Sequence, residues 1–338
     1  MRRHPLHRYF FVLWAGIVFF KALHSESSDP GQFPTAVLDN GALRIVVDIP
    51  DNEKGRYQGL RFDRSGQIMS ARYRDYEFFG PWKALADGET VFRDGVGPSE
   101  EFSMYDPLGY DKAGPGEEFV KIAVGVLERV DDDSYQFYEQ YPVVKLGDWE
   151  TRQGDLWVES AQHLAADSGW GYRYLKRVEI HPEFPVMTIT RVLENSGEHT
   201  IDTDHYAHNF FIPDGRIPDQ DVILETAFYV DPPSVLNETV HLKGHRLFFT
   251  EPMLPGGHYA NLVHMTGEDR ILPAGYNFGL RRDERQGMQL QFQGSHPIHR
   301  YVFYGTNNSL SLEPFVKIHL QPGETMRWST VYYFSATQ

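Results

Sequence analysis

The chain has 338 residues, 41% hydrophobic and 14% aromatic, with a formal net charge of −15 and no cysteine. That is enough apolar material for a sizeable core. The missing cysteine excludes disulfides, thiolate metal sites and a cysteine nucleophile, and the negative charge disfavours nucleic acid and anionic lipid as partners.

Residues 1–27 read as a signal peptide. Arg2, Arg3 and Arg8 precede a 12-residue apolar run from Tyr9 to Phe20, and Ser25-Glu-Ser27 offers small residues for cleavage. Such a run is short for spanning a bilayer, which favours a cleaved signal, with an uncleaved anchor as the alternative because Lys21 and the absence of Ala-x-Ala depart from a standard cleavage site. The expectation is an exported protein, periplasmic or extracellular, whose residues 28–338 form a single domain with no membrane contact beyond the export signal. Without residues 1–24 the chain keeps 28 basic and 47 acidic side chains, a charge of −19. A neutral or short ligand is then the easier partner.

Alternation of apolar and polar residues dominates the rest. Ala42 to Ile49 sets Leu43, Ile45, Val47 and Ile49 against Arg44 and Asp48. Phe119 to Val126 sets Val120, Ile122, Val124 and Val126 against Lys121, Ala123 and Gly125, and is expected as one strand. Val186 to Val192 places Met187, Ile189 and Arg191 on one side and Val186, Thr188, Thr190 and Val192 on the other. Met288 to Gln293 alternates strictly, and Val316, Ile318 and Leu320 alternate with Lys317 and His319 before a turn at Gln321 to Glu324 and a last strand from Arg327 to Phe334. Gly95 to Pro98, Lys112 to Gly116, Pro213 to Gly215 and Pro252 to His258 read as loops. The pattern predicts an all-β fold, a large antiparallel β-sandwich.

Two segments carry chemistry. Tyr206-Ala-His-Asn-Phe-Phe211 sets a histidine in an aromatic strand, and Leu312-Glu-Pro-Phe315 sets a glutamate before a proline, which holds it extended. A buried glutamate in so apolar a setting is costly, so Glu313 must be exposed, paired or functional. His205 and His208 are an odd offset apart, which on a strand sends them to opposite faces. One is then structural, and a metal-binding pair does not fit. No motif calls for a nucleotide, flavin or metal, so no cofactor is expected.

Taken in order, several landmarks resemble the galactose mutarotase-like (aldose 1-epimerase) superfamily. They are Ile189-Thr-Arg-Val-Leu-Glu-Asn-Ser-Gly197, His205-Tyr-Ala-His-Asn-Phe-Phe211, Leu312-Glu-Pro314, the Pro322-Gly-Glu-Thr325 turn and the aromatic strand from Trp328 to Phe334. The resemblance implies that superfamily's sandwich, a carbohydrate substrate, Glu313 as base and His208 as acid, with Asn209 completing the motif. It departs in the first third, where the family carries an arginine and a second histidine. Arg72 is the candidate for the arginine, and Glu100, Glu101 and Lys121 are candidates for contacts to sugar hydroxyls. Trp82, Tyr110, Trp170, Tyr172 and Tyr174 form the pool for a stacking platform, with most aromatic residues going to core packing.

Three functions fit this reading. The first is an aldose 1-epimerase acting on a small-molecule or oligosaccharide carbohydrate. It expects His208 and Glu313 to converge near about 6 Å, and a separation beyond about 10 Å defeats it. The second is a polysaccharide lyase acting on uronate-containing glycans, with His208, Tyr206 or Lys121 as base in a basic groove. The third is a non-catalytic carbohydrate-binding protein of the same fold.

Overall fold

The computed structural model describes residues 33–83, 91–212, 215–226, 238–244, 246–254, 256, 258–264, 277–282 and 287–336. The expected signal peptide lies outside them, as do parts of the loops expected at 213–215 and 252–258.

Among the described residues there are strands and no helix. Strands β1 (Thr35–Asp39), β2 (Leu43–Asp48), β3 (Ile68–Tyr73) and β4 (Tyr76–Glu77) make a four-stranded sheet in sequence order. After β5 (Pro98–Phe102), strands β6 (Glu118–Lys121), β7 (Gly125–Glu128) and β8 (Val143–Leu146) make a three-stranded one. The chain then runs through β9 (Asp148–Gly154), β10 (Trp157–Ala165), β11 (Gly171–Ile180), β12 (Val186–Asn195), β13 (Ile201–Asn209) and β14 (Val222–Thr226). It continues through β15 (Val240–Lys243), β16 (Arg246–Phe249), β17 (His258–His264), β18 (Asn277–Arg282) and β19 (Met288–Gly294). Strands β20 (Arg300–Gly305), β21 (Leu310–Leu320) and β22 (Thr325–Ala336) complete it. A ten-stranded sheet has the order β15-β16-β14-β18-β19-β22-β12-β11-β10-β9, and a five-stranded sheet the order β17-β20-β21-β13-β5.

Period-two burial explains how these sheets stack. On β12 the side chains of Met187, Ile189, Arg191 and Leu193 are buried, and on β22 those of Trp328, Tyr332 and Phe334. Arg191 apart, these share apolar clusters with Tyr301 and Phe303 of β20 and Leu312, Val316 and Ile318 of β21. The inner faces of the ten- and five-stranded sheets thus meet as an antiparallel β-sandwich, and Leu43, Ile45 and Val47 of β2 join the same core.

One expected element is divided. Residues 119–126 are a hairpin, not a single strand: Lys121 of β6 pairs with Gly125 of β7, and the chain reverses through Ala123 at φ 63°. Both arms are buried, so the apolar alternation carries on through the turn and hides it.

Between the sheets lies a closed polar cluster. Arg191 grips Glu100 of β5 with two donors, Nε at 2.9 Å from Oε2 and a guanidinium nitrogen on Oε1. Lys176 Nζ lies 3.2 Å from Glu100 Oε2 and 3.4 Å from Asp63 Oδ2, and donates to the Ser65 carbonyl at 2.9 Å. Tyr174 donates to Asp63 at 2.8 Å. Trp328 Nε1 donates to His205 Nδ1 at 3.2 Å, which leaves the imidazole proton on Nε2, 3.3 Å from Glu100. Two cations and two carboxylates, all buried, compensate one another. Burial pushes the Glu100 pKa up, but Arg191 and Lys176 more than offset it and hold the carboxyl well below its ordinary 4.5. Burial lowers that of His205.

Glu100 is therefore enclosed between the sheets and not positioned for sugar contact. Arg191→Met takes from the buried Glu100 carboxylate its two-donor partner and leaves it Lys176 as the remaining cation, so it is expected to cost about 3–5 kcal/mol of unfolding free energy in urea titrations. Because Glu100 titrates lower in the folded chain than unfolded, its stabilisation is present above 4.5 and is lost as pH falls towards the folded value.

Candidate functional site

The other face of the five-stranded sheet carries the second polar cluster. Cross-strand register places side chains there in rows. Ser99 of β5 is opposite His208 of β13, and Glu313 of β21 is opposite Val302 of β20. In the adjoining row Glu101 is opposite Tyr206, Phe315 stacks on Tyr206 with centroids 4.0 Å apart, and Arg300 is opposite Phe315. Gly97 makes the entry to β5 possible. It takes φ 58°, and a Cβ there would collide with the Ile68 carbonyl.

His208 and Glu313 meet directly. Nδ1 of the histidine is 2.6 Å from Oε1 of the glutamate, closer than the separation expected from sequence. The contact is not aligned as a hydrogen bond, so each of these buried atoms lacks such a partner. Neighbouring strands bring opposed side chains within direct reach, which is why a glutamate on β21 abuts a histidine on β13. Phe210 stacks on the imidazole at 5.2 Å, and Phe62 meets it edge-on at 5.3 Å. These contacts hold the ring's orientation.

The far nitrogen of His208 has two neighbours of opposite kind. Nε2 lies 3.1 Å from Arg61 Nη2, which only donates, and 3.0 Å from the Tyr206 hydroxyl. The Tyr206 proton goes to Glu101 Oε2 at 2.5 Å, leaving the phenol oxygen free to accept. Arg61 therefore serves an unprotonated Nε2 and Tyr206 a protonated one, so both states of the ring have a partner. Burial disfavours the imidazolium, but the Glu313 and Glu101 carboxylates outweigh it and raise the His208 pKa above 6.5.

Glu101 gathers this cluster. It accepts from Arg61 Nε at 2.9 Å, from Lys121 Nζ at 2.9 Å and from Tyr206. Burial pushes its pKa up, and Arg61 and Lys121 reverse this, holding the carboxyl well below the usual range. Lys121 also donates to the Ser103 carbonyl at 2.7 Å, where Ser103 takes φ 48°. Burial lowers the pKa of its ammonium, although Glu101 opposes this.

Of the residues expected from sequence, the fold brings together His208, Glu313, Glu101 and Lys121. It separates the others. Asn209 turns to the inner face, where it donates to the Leu312 carbonyl at 2.8 Å and accepts from Tyr332 at 2.7 Å. Tyr110 belongs to a buried aromatic cluster with Phe119, Tyr135 and Tyr141. Arg72 is on β3 with its side chain 60% exposed, 4.0 Å from Glu77 and out of the cluster. The arginine beside the histidine is Arg61, from the segment between β2 and β3. Its only mark in sequence is the charged pattern Arg61-Phe-Asp-Arg64 in a glycine-flanked loop. Arg61 goes outward to Glu101, while Asp63 goes inward to Lys176. As the odd offset required, His205 and His208 lie on opposite faces, with His205 between the sheets. Of the aromatic pool, Trp82 stacks on Phe210 beside the site, while Tyr172 and Tyr174 are inside the sandwich and Trp170 packs with His199 elsewhere.

No protein-family model matches the chain, and no curated protein matches it in sequence. Solved structures do. A galactose mutarotase related enzyme from Lactobacillus acidophilus superposes with a TM-score of 0.51 at 12% identity, over 90% of this chain and 98% of its own. The GalM/aldose epimerase homologue from C. elegans does so with a TM-score of 0.53 at 11% identity, over 90% and 100%. A galactose mutarotase-like protein from Clostridium acetobutylicum gives 0.51 at 9%, over 89% and 95%. At such identities the likeness establishes architecture alone, and the chain has the galactose mutarotase-like β-sandwich fold.

Proposed function

We propose that the chain is a carbohydrate-active enzyme that interconverts sugar anomers, an aldose 1-epimerase-like isomerase. The observation that carries this reading is the 2.6 Å approach of His208 Nδ1 and Glu313 Oε1, two buried atoms without aligned hydrogen bonds. Opening a hemiacetal needs a base at the anomeric hydroxyl and an acid at the ring oxygen. Both oxygens are bonded to one carbon, so the acid and base must be close neighbours. Solved structures of the same fold named as a galactose mutarotase related enzyme and an aldose epimerase homologue support the same chemistry.

In this scheme Glu313 takes the proton of the anomeric hydroxyl, a carbonyl forms at the anomeric carbon, and the bond to the ring oxygen breaks. The imidazolium of His208 gives its Nδ1 proton to that oxygen while Nε2–H rests on Tyr206. Rotation about the adjacent carbon–carbon bond exposes the other carbonyl face, and the same transfers run in reverse. Arg61 and Lys121 set the charge of Glu101, which in turn favours the charged imidazole. A lyase is less well supported, because the cations described near the site are engaged: Arg61 and Lys121 with Glu101, Lys317 with Asp202, and Arg300 over the Phe315 ring. We also read residues 1–27 as an export signal, which N-terminal sequencing of the secreted chain checks.

Polarimetry on freshly dissolved α-glucose and α-galactose tests the function. The chain is expected to accelerate mutarotation of at least one sugar, with Glu313→Gln and His208→Ala each losing about 100- to 10,000-fold. No acceleration with these sugars or with a neutral reducing trisaccharide removes the epimerase reading; new absorbance from unsaturated uronate products would then favour the lyase.

The pH profile follows from the raised His208. Its acid form is present below the folded pKa, so the rate is expected to fall as pH rises through a value above 6.5. Glu101→Gln removes an anion that favours the imidazolium and should move this alkaline limb to lower pH. An unmoved limb in that variant sinks the assignment of the limb to His208.

A further inference from the structure

From the proposed site, Arg61 leads outward to Phe137, Tyr138 and Tyr105, three aromatic side chains that the proton-transfer scheme does not use. Its guanidinium carbon lies 4.6 Å from the Phe62 ring centre and 4.1 Å from that of Phe137. Phe137 meets Tyr138 at 5.3 Å and 80°, and Tyr105 at 6.5 Å and 75°. Tyr138 is 64% exposed and Tyr105 is 51% exposed, among the most exposed large hydrophobic side chains described. Burying so little of two aromatic rings forgoes most of what such rings contribute to stability. A pair of them next to a polar site is a surface ready for a ligand.

The position of this pair is tied to the site. Tyr105 follows β5, the strand that carries Glu101, and Phe137 and Tyr138 sit between β7 and β8 of the sheet whose first strand ends in Lys121. The ion pair between Glu101 and Lys121, together with Arg61 resting on Phe137, fixes the two aromatic loops against the His208 cluster.

Charge then selects the kind of ligand. From Ser103 to Pro142 the chain carries nine acidic side chains (among them Asp106, Asp131, Asp132, Asp133 and Glu139) and three basic ones. Such a surface repels uronates and sulfated glycans. A neutral pyranose is suited to it, since the C–H groups of one ring face can pack on an aromatic ring at no electrostatic cost.

We propose that Tyr105 and Tyr138 form a stacking platform for the sugar unit next to the one held at His208 and Glu313. The substrate is then the reducing end of a neutral oligosaccharide, not a free monosaccharide alone. The reducing-end chemistry rests on the epimerase reading; the platform rests on the aromatic path and its charge.

Calorimetric titration of the full chain with glucose, maltotriose, cellotriose and trigalacturonate tests it. At least one neutral trisaccharide is expected to bind about tenfold more tightly than glucose, the order of magnitude of ring-stacking contacts. In the Tyr105→Ala/Tyr138→Ala double variant that advantage is expected to vanish, and in the Tyr105→Phe/Tyr138→Phe variant to persist. Equal affinity for glucose and both neutral trisaccharides overturns the platform, as does an advantage that survives the alanine pair. Tighter binding of trigalacturonate overturns the neutral assignment. Polarimetry on the same samples separates the two claims: platform-dependent binding without turnover keeps the platform and removes the epimerase, whereas turnover without it does the reverse.

Discussion

Glu100 and Glu101 are adjacent on a strand, and adjacent side chains on a strand leave on opposite faces. Both are fully buried. A buried carboxylate is tolerable only where cations and donors surround it. This single constraint forces a built-in set of partners on each side of β5. Inward, Arg191, Lys176 and His205 surround Glu100 and join the five-stranded sheet to the ten-stranded one. Outward, Arg61, Lys121 and Tyr206 surround Glu101 and deliver a charged, hydrogen-bonded setting to His208. Structural and chemical roles are divided by the thickness of one strand.

The inner cluster is closed, with its imidazole tautomer settled by the Trp328 donor. The outer cluster is not. Its histidine has partners for either state of Nε2, and its contact with Glu313 lacks hydrogen-bond alignment. That difference separates a group held for stability from one suited to proton transfer, even though both histidines come from one short span of β13.

The sandwich was legible because one face of each main strand is apolar, as at Met187, Ile189 and Leu193, and a half-buried sheet is what produces that alternation in segment after segment. Opposite placement of His205 and His208 followed from strand geometry alone. The reversal at Ala123 was not legible, since both arms of that hairpin are buried and the alternation continues through it. Arg61 was missed for a related reason. Its segment has no period to read, and its role comes from reaching a glutamate 40 positions away. Arg72 has the pattern of a strand residue, but its side chain is exposed to solvent on a different sheet. Asn209 sits beside His208 in sequence and, by the same alternation, turns away from it.

By itself the sequence determined the strand periodicity, the face on which each strand residue lies and the presence of a histidine and a glutamate in apolar, aromatic contexts. Local sterics and burial set these, and they act over a few residues. Tertiary structure alone decided which distant strands became neighbours and in what register, and so that Glu313 would abut His208. It also decided that one of two adjacent glutamates would meet Arg191 and the other Arg61. Those pairings depend on sheet order and cross-strand register, which arise when distant segments meet and leave no local trace in the chain.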